Sequence, residues 1–539
     1  MEQIDALTPA ELNARQKAAG VGIEAAGVTF TVYNEGLGID RSWPFDIVPR
    51  VIARQEWDRI ETGLLQRLTA LNHFIDDVYG DQRIIAAGLV PLDIVANSRD
   101  YRPECRGVHP RHDVWAHICG SDLVRDSDGT MYVLEDNLRV PSGVSYVLEN
   151  RLITKRVFGE LFAHQSILPV DAYPERLRRI LASLSPVEDP VIAVLTPGIF
   201  NSAYFEHSFL ARAMGVPLVE GRDMVVDDED RVLLRTVEGL VQVDVIYRRV
   251  DDMFLDPEVF HPESSLGTPG LMRAWRAGNV AIANAPGTGV ADDKVVYSYV
   301  PDMIKYYLGE EAILPNVPTY RCGRPDDLAY VLEHMDELVI KPANESGGYG
   351  IVIGPASTTA ELADTADQIR DDPRNFVAQP VISLSTVPTL CEDHLEPRHV
   401  DLRPFSLLGG ESYVTCGGLT RVARTAGSLI VNSSQGGGSK DTWIVDTDAP
   451  RSRLNLTAAA NAPTSATTPS RSATGQSPTT APATSDPERA PASASPERTA
   501  RVTSASEPVI DLTGPESRSP NTTSRPPSTT RPPTDRRAR

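Results

Sequence analysis

The spacing of apolar residues divides residues 1–446 into helices and strands. Between Val51 and Tyr79 they recur at helical intervals, which predicts one long amphipathic helix or a pair of helices. Val191 to Leu195 and Val216 to Val219 are short apolar runs on either side of a helical pattern from Ala203 to Met214. That order predicts a βαβ unit, so a parallel, Rossmann-like sheet is expected in this part of the chain.

A second pattern predicts an antiparallel hairpin near residue 130. Asp113 to Arg125 and Thr130 to Val140 have the composition of strands, and Asp126 to Gly129 has the composition of a turn. Such a hairpin would place Asp122 close to Glu135, because the two strands run back along each other from the turn.

Two more strands are expected later, Leu338 to Pro342 and Gly350 to Gly354, after a helix from Tyr297 to Leu308. From about Ala449 onward the pattern disappears. Ala, Pro, Ser, Thr and Arg dominate there, and Phe, Trp, Tyr, Cys and Lys are absent. Such a segment cannot bury enough apolar surface to offset its ordering entropy, so a disordered tail is predicted.

Length and charge narrow the class of protein. A chain of 539 residues is too long for one hydrophobic core. Two or three domains are therefore expected. The order of the predicted elements and the change of composition in the tail predict an α/β (α+β) fold and divide the chain into four parts, at residues 1–184, 185–290, 291–446 and 447–539. The net charge of −21 and the pI near 5.0 exclude the basic surface that a general nucleic-acid binder needs.

Cysteine usage and the N-terminus bear on the compartment. The 5 Cys residues are scattered, without a C-x-x-C motif or zinc spacing. Residues 1–22 contain no apolar core of signal-peptide length, and no apolar run approaches the length of about 18 residues that spans a membrane. A cytoplasmic protein without membrane contact is expected.

The most informative segment is Glu135-Asp136-Asn137-Leu138-Arg139, on the second strand of the predicted hairpin. Because strand side chains alternate, Glu135, Asn137 and Arg139 are expected on one face. Two oxygen ligands on one face can hold Mg²⁺ against the phosphates of a nucleotide, and an arginine beside them can add positive charge.

A glycine-rich loop, Glu345 to Gly350, joins the two strands of the later pair. Glycines allow a backbone to approach phosphate oxygens and turn its N–H groups towards them, although a plain hairpin turn has the same composition. Lys341 favours the phosphate interpretation, because a lysine at the end of a buried strand is rare unless it has a partner. Lys294 is a weaker candidate, since most lysines are solvated.

Further polar segments each leave two interpretations open. Asp401 and Arg403 share a face and Arg421 follows them, which fits either an internal ion pair or an arginine that acts on a phosphoryl group or a substrate carboxylate. Asn432 to Asp441 is either a flexible linker or a loop that closes over a site. Arg248 to Asp252 ends a strand, where either substrate contact or a surface ion-pair cluster is expected.

Together these stretches resemble the circularly permuted ATP-grasp family of bacteria, whose members accompany alpha-helical and transglutaminase-like proteins. The matching segments span most of residues 30–446: VLEDNLRVPSG, VIYRRVDDMFLDP, DDKVVYSYVPDMIKYYL, VIKPANESGGYGI, RHVDLRPFSLLGG and NSSQGGGSKDTW. The metal strand precedes the lysines and the glycine loop, the reverse of the order in other ATP-grasp ligases. The arrangement is also similar to the synthetase domain of glutathionylspermidine synthase.

The resemblance implies a role for each part. Residues 1–184 would supply N-terminal helices and the metal-binding strands, 185–290 a pre-ATP-grasp section, and 291–446 the ATP-binding part with its glycine-rich lid. The implied cofactors are ATP and Mg²⁺, and the implied protein partners are the alpha-helical and transglutaminase-like families.

The resemblance also implies specific site residues. The metal ligands would be Asp122, Glu135 and Asn137. The residues that contact ATP would be Lys294, Lys341, Ser346, Gly347, Gly348, Gly350 and Gln379. By similarity to ribosomal-protein-modifying ligases, the residues near the reacting acyl phosphate would be Arg403, Arg421 and Asn432, and Arg139 joins them from its place beside the metal ligands.

The implied reaction is the ATP-dependent joining of a carboxylate and an amine through an acyl phosphate. Two alternatives stay open on the sequence. One is an ATP-grasp kinase, in which an acceptor hydroxyl replaces the carboxylate. The other is a catalytically silent ATP-binding scaffold or sensor. The sequence names neither the carboxylate nor the amine.

Overall fold

The computed structural model describes residue 4 and residues 6–34, 37–345 and 350–446. The strands of this part are β1 (Thr29–Asn34), β2 (Leu37–Ser42), β3 (Phe45–Ala53), β4 (Ile118–Arg125), β5 (Met131–Asn137), β6 (Ile192–Leu195), β7 (Leu218–Val219), β8 (Met224–Val226), β9 (Val232–Thr236), β10 (Gly239–Gln242), β11 (Val245–Arg248), β12 (Ala281–Ala283), β13 (Tyr320–Arg321), β14 (Leu338–Pro342), β15 (Val352–Ile353), β16 (Phe376–Pro380), β17 (Thr386–Cys391), β18 (His394–Arg403), β19 (Phe405–Leu408), β20 (Ser412–Val414), β21 (Leu419–Val422) and β22 (Gly438–Val445).

The α-helices of the same residues are α1 (Pro9–Ala25), α2 (Arg54–Tyr79), α3 (Arg83–Ala86), α4 (Leu92–Ala96), α5 (Val144–Val157), α6 (Gly159–His164), α7 (Tyr173–Ala182), α8 (Tyr204–Met214), α9 (Asp252–Leu255), α10 (Leu271–Arg276), α11 (Lys294–Tyr297), α12 (Val300–Met303), α13 (Pro325–Glu333) and α14 (Thr359–Asp371).

The long helix α2 confirms the helical periodicity predicted from residue 51 to residue 79. It begins at residue 54 because Val51 belongs to strand β3, where it pairs with Trp443 of β22. The apolar stripe of the helix is buried, and Trp57 and Phe74 are both fully covered. Burial of each such side chain stabilises the fold by about 1.5–3 kcal/mol.

The largest sheet mixes strands from the two ends of the described chain. Its path is β20-β19-β4-β18-β21-β22-β3, with β5 paired to β4 and β17 paired to β18. Strands β18 and β19 run antiparallel to β4, and β22 runs parallel to β3. The strand that carries Asp122 is therefore built beside the strand that carries Asp401 and Arg403. A circularly permuted order requires this joining of early and late segments.

Four parallel strands in the order β12-β11-β6-β7 form the middle section, as the βαβ pattern predicts. At the end of β11, Arg248 pairs with Asp252 at 2.7 Å and Arg249 pairs with Glu206 at 3.2 Å, and all four side chains are buried. The prediction of an ion-pair cluster at the surface is therefore wrong about where the cluster lies. Both guanidiniums point inward, where they pair with buried carboxylates and donate hydrogen bonds to backbone carbonyls.

A separate antiparallel sheet, β13-β16-β14-β15, carries Lys341 and Gln379. Helix α14 packs on one face of it, where Ile340 and Ile369 are both fully buried. Thr358 begins this helix with a capping box, which satisfies N–H groups of the first turn. Because strand side chains alternate, Lys341 points to the face opposite Ile340.

The predicted section boundaries near residues 184, 290 and 446 stay predictions. Residues 447–539, where a disordered tail is predicted, lie outside the described residues. In the part of the chain that the structure describes, no helix is both long and apolar enough to cross a membrane.

Candidate functional site

The hairpin of β4 and β5 places Asp122 directly opposite Glu135, as predicted. Successive side chains of β5 lie on opposite faces of the sheet, so its polar residues are divided between the two faces. Asp136 faces the core, where it accepts a hydrogen bond from Arg67 Nε at 2.7 Å. Glu135 and Asn137 face the other side of the sheet, so the expected pair of oxygen donors shares one face.

These two oxygen donors are held in defined positions. Asn137 Nδ2 donates to the carbonyl of Gly120 at 2.9 Å, which leaves Oδ1 as the amide atom that can meet a ligand. Glu135 Oε2 lies 3.8 Å from Lys294 Nζ, and Glu135 Oε1 lies 3.7 Å from Arg403 Nη2. Both distances exceed a hydrogen bond, so these cations attract the Glu135 carboxylate without occupying its lone pairs.

Asp122 lies at the centre of a buried charge cluster. Arg403 donates to it through Nε at 2.5 Å and Nη2 at 2.8 Å, and Arg421 Nη2 donates to it at 2.6 Å. Arg421 also donates to Asp401 through Nε at 2.9 Å. Burial alone would raise the pKa of Asp122, but the two guanidiniums outweigh it and hold the pKa well below its usual range. Burial raises the pKa of Asp401 against the attraction of Arg421.

Lys341 is buried without an ionic partner among the described residues. Its Nζ donates to Gln379 Oε1 at 2.6 Å, and Gln379 Nε2 donates to Thr319 Oγ1 at 2.9 Å. A neutral amide does not offset an ammonium charge. Burial therefore lowers the pKa of Lys341 to about 8.

Lys294 opens helix α11 and is positioned by the residue before it. Asp293 accepts from a backbone N–H of the first turn at 2.8 Å and is itself held by Ser98 at 2.9 Å and Arg374 at 2.8 Å. Lys294 Nζ donates to the carbonyl of Glu345 at 2.5 Å. The lysine therefore reaches the residue that begins the glycine-rich loop.

These side chains line one space, which we call the main cleft. Its polar lining includes Asp122, Glu135, Lys294, Lys341, Gln379, Arg421 and Asn432. Val339, Ile353, Ile382 and Ile430 supply apolar walls of the kind that a planar base requires. Strand β5, which carries the predicted metal ligands Glu135 and Asn137, therefore faces the strand of Lys341 across a shared cleft, although these residues lie far apart in the sequence.

The glycine-rich loop is described only at its ends. Gly350 has a φ of 69°, and a Cβ there would come within 2.9 Å of Pro342 Cγ. The backbone itself therefore requires a glycine at this position. Ser346, Gly347 and Gly348, predicted to contact ATP, lie outside the described residues.

A second space, which we call the side pocket, adjoins the main cleft. Its polar lining consists of Asn137, Arg139, Ser142, Asp292, Arg403, Arg421, Asn432 and Ser433. Arg421 and Asn432 line both spaces, so the two spaces are neighbours at these residues. Arg403 and Arg421 form internal ion pairs and also line these spaces. The two interpretations of these arginines are therefore compatible.

Arg139 lies beyond strand β5, because β5 ends at Asn137. It is held by Asp100 at 3.1 Å and Asp251 at 3.0 Å, with Asp292 at 3.6 Å. Strand alternation is therefore the wrong explanation for its position, although the side chain does line the side pocket.

Asp292 is a pocket residue that sequence reasoning missed. It accepts from the backbone N–H of Leu138 at 2.6 Å, and Asn284 Nδ2 donates to the carbonyl of Leu138 at 2.5 Å. These bonds occupy the groups that would continue β5, which explains why the strand ends there. Burial raises the pKa of Asp292 to about 7, against the attraction of Arg139. Its only signal in the sequence is its nearness to the lysine of the Asp-Asp-Lys motif.

Three aromatic residues of the side pocket were also missed. Trp43 stacks on Tyr146 with ring centroids 3.7 Å apart, and Phe30 meets Trp43 edge-on at 6.0 Å. They come from β1, from the link between β2 and β3, and from α5. Each reads as an ordinary core residue, and only the fold brings them together.

The donor chemistry of Glu135 and Asn137 fits Mg²⁺, which prefers oxygen ligands. Asp122 fits less well, since two guanidiniums already neutralise its charge. Across residues 6–34, 37–345 and 350–446, no group of three or more His, Cys, Asp or Glu side chains is placed to hold a metal ion. Phosphates and water would have to complete the coordination, so the metal set stays a prediction.

The chain is similar to a known protein family and to individual bacterial proteins. The family described as "Circularly permuted ATP-grasp type 2" matches residues 49–423. An uncharacterized protein of Synechocystis sp. is 58% identical over 442 residues, which cover 81% of this chain and 92% of that protein. An uncharacterized protein of Mycobacterium tuberculosis is 52% identical over 444 residues, which cover 82% of this chain and 79% of that protein.

Two further comparisons reach named proteins. A Frankia casuarinae protein named provisionally as a glutamate–cysteine ligase is 45% identical over 447 residues, which cover 82% of this chain but only 51% of that protein. The solved structure of a glutathione synthetase-like effector from Globodera pallida superposes with a TM-score of 0.55 at 12% identity, covering 81% of this chain and 98% of that chain. At that identity the likeness shows the fold alone.

Proposed function

Because this chain belongs to the circularly permuted ATP-grasp type 2 family, we propose that it is an ATP- and Mg²⁺-dependent carboxylate–amine ligase. It would join the two substrates by an amide or similar bond through an acyl phosphate. The observation that carries the proposal is the main cleft, in which a carboxylate strand and two lysines from distant segments line one space.

The two lysines give the strongest reason to place a polyphosphate there. Lys341 is a buried ammonium bonded to a neutral amide, and such a charge is costly unless an anion offsets it. Burial has the largest effect on the pKa of Lys341 and lowers it; the Glu135 carboxylate offsets part of this effect, and Lys294 lowers the pKa further. Two like charges held close together are stabilised by a shared anion. A triphosphate supplies that anion.

Glu135 and Asn137 would hold Mg²⁺, with Asp122 as the third predicted ligand. A bound Mg²⁺ would neutralise part of the phosphate charge. Gln379 lies on the same strand pair as Lys341 and lines the cleft beside apolar side chains. That position supports the prediction that it contacts the adenine side.

The proposed chemistry has two steps. A substrate carboxylate attacks the γ-phosphorus of ATP, and ADP leaves. An amine then attacks the acyl carbon of the acyl phosphate, inorganic phosphate leaves, and the amine loses a proton. The first step needs positioning and charge neutralisation rather than a nucleophilic side chain.

Arg421 and Asn432 line both spaces, and Arg403 lines the side pocket. Guanidiniums at this junction would stabilise the transferring phosphoryl group and the acyl phosphate. The segment of residues 429–435 contributes Ile430 to the main cleft and Ser433 to the side pocket. This segment could cover both spaces. Such a cover would protect an acyl phosphate, which hydrolyses in water.

The family does not name the substrates. The Frankia relative carries glutamate and cysteine in its name, but about half of that protein has no counterpart in this chain. Glutamate and cysteine are therefore candidate substrates to be tested, together with other carboxylates and amines.

The experiment is to trap the acyl phosphate with hydroxylamine. Purified full-length protein is incubated with ATP, Mg²⁺, hydroxylamine and a panel of carboxylic acids, and hydroxamates are identified by mass spectrometry. We expect one or more hydroxamates that form only when ATP, Mg²⁺ and the carboxylic acid are all present. Lys341→Ala should abolish them, whereas Lys305→Ala, at an exposed lysine, should not.

The outcome also separates the alternatives. A kinase would give a phosphorylated acceptor and no hydroxamate. A silent scaffold would bind ATP without releasing ADP, whichever substrate is added. Either result would overturn the ligase proposal.

A further inference from the structure

The side pocket combines a cationic end with an aromatic end, and the aromatic end has no role in the proposed nucleotide binding. The residues at the two ends are Arg139, Arg403 and Arg421, and Phe30, Trp43 and Tyr146. Because the pocket and the main cleft are neighbours at Arg421, a molecule bound there would reach the place where a γ-phosphate is proposed to lie.

At the cationic end a guanidinium, and not its carboxylate partner, faces the pocket. The Arg403 side chain is 13% exposed, whereas Asp122 behind it is 2% exposed. Arg403 Nη1 donates to the carbonyl of Ser142 at the long distance of 3.4 Å, so it keeps donor capacity for a stronger acceptor. A carboxylate is the acceptor that best fits a guanidinium.

At the aromatic end the polar atoms are already engaged. Trp43 Nε1 donates to Asn150 Oδ1 at 3.2 Å, and the Tyr146 hydroxyl donates to the carbonyl of Thr29 at 2.9 Å. Phe30 meets Trp43 at 6.0 Å and Tyr146 at 6.3 Å, both edge-on. The rings therefore offer carbon surface to a ligand and no further polar group.

We propose that the side pocket binds the carboxylate substrate, and that it selects acids with an aromatic or other apolar group over acids with a second carboxylate. The inference rests on the proposed function, since it takes the reacting carboxylate to enter from this side. Arg403 would hold that carboxylate. The rings would pack against the apolar group and would disfavour a second negative charge, which ring faces repel and which would be desolvated there.

An aromatic wall also suits a cationic amine. The groups that face the pocket argue against that occupant. Three guanidiniums line the pocket, Asp292 is its one acidic lining residue among the described residues, and the other carboxylates that pair with these guanidiniums do not line it. An amine that bound here would have to approach those guanidiniums. The competing occupant is therefore included as an outcome of the test.

The test is isothermal titration calorimetry on the full-length protein, with Mg²⁺ and a non-hydrolysable ATP analogue present. The probes are 3-phenylpropionate, glutarate and phenethylamine. We expect 3-phenylpropionate to bind at least about tenfold more tightly than glutarate. Phe30→Ala should weaken 3-phenylpropionate about fivefold to tenfold, the range that one aromatic contact supplies, and should leave glutarate unchanged.

Phe30 is chosen because it is only half-buried, and thermal unfolding verifies that the variant folds. Phe30→Leu keeps an apolar side chain on the strand and should give an intermediate loss. The matched control is Tyr330→Ala, at an exposed ring on helix α13, which should change no affinity.

Glutarate or phenethylamine binding as tightly as 3-phenylpropionate would overturn the inference, and so would an unchanged affinity in both Phe30 variants. The fate of the two proposals can be separated. If other acids gave hydroxamates but 3-phenylpropionate did not bind, the pocket inference alone would be refuted. Selective binding without any hydroxamate would support the pocket and sink the ligase.

Discussion

Replacing Lys341 with methionine should make the free protein more stable and should weaken its binding of ATP. The side chains are similar in length, so the change removes a charge and little volume. The lysine is buried, and its hydrogen-bond partner is the Gln379 amide oxygen. The gap between a pKa of 10.5 and one of about 8 corresponds to about 3 kcal/mol.

The sign of the effect follows from the two pKa values. Below about pH 8 the lysine is charged in the folded and unfolded states, and burial costs the folded state the full amount. As the pH rises from 8 towards 10.5 the cost shrinks, because the folded state releases the proton first. Methionine removes this cost but leaves Gln379 Oε1 without its donor, a loss of about 1–2 kcal/mol.

The net gain expected for Lys341→Met is therefore about 1–2 kcal/mol at pH 7, falling to about zero at pH 9.5. ATP should bind about 10-fold to 100-fold more weakly, the value of one charge-assisted hydrogen bond to a phosphate. Urea unfolding followed by tryptophan fluorescence measures the first quantity, and calorimetry with ATP and Mg²⁺ measures the second.

Lys305→Met is the matched control, because Lys305 is a 68% exposed lysine with one surface partner. It should change stability by less than about 0.5 kcal/mol and leave ATP affinity unchanged. If Lys341→Met instead lost stability at pH 7 and bound ATP as before, the view of Lys341 as a charge held ready for phosphate would be refuted.

Three more predictions follow from the same cluster. Glu135→Gln should lower Mg²⁺-dependent ADP formation at least about a hundredfold while the melting temperature stays within a few degrees, as measured by coupled assay and thermal unfolding. Asp122→Asn should destabilise the protein by about 3–5 kcal/mol in urea, because it removes the carboxylate bonded to the largely buried Arg403 guanidinium and leaves Arg421 with Asp401 alone, and the difference from the wild type should narrow as the pH falls below about 4. Asp293→Ala should cost about 3–5 kcal/mol, because it removes the cap and also the carboxylate partner of Arg374, and it should raise the KM for ATP, since Lys294 loses its anchor. An unchanged KM would contradict that positioning.

The parts of the site that follow local rules were open to sequence reasoning. The turn after residue 125 brings Asp122 close to Glu135, because turn chemistry acts over a few residues. A register shift between Asp122 and Leu123, which no local pattern indicates, sets Asp122 directly opposite Glu135. Lys341 stands out for a similar reason, since a lysine at the end of a buried strand needs an explanation.

The parts that depend on distant packing were not open to it. Phe30, Trp43 and Tyr146 each carry an ordinary core signal, and only the tertiary fold gives them a common pocket. In the sequence Asp292 has the pattern of a surface charge. Only the fold shows that its carboxylate accepts a hydrogen bond from the backbone N–H of Leu138, just after the end of β5. Arg248 has the appearance of a surface residue because the backbone carbonyls of Asn284 and Ala285, which accept hydrogen bonds from it in the interior, lie on a segment that no local pattern links to it.

The central claim is that a substrate carboxylate takes the γ-phosphoryl group of ATP in the main cleft. The most direct measurement uses a carboxylate labelled with ¹⁸O at both oxygens, once the hydroxylamine screen has identified it, and follows the label by mass spectrometry of the released phosphate. Transfer through an acyl phosphate predicts one ¹⁸O atom in each phosphate formed together with the amide. Phosphate without the label, or a label that stays wholly in the product, would contradict the account.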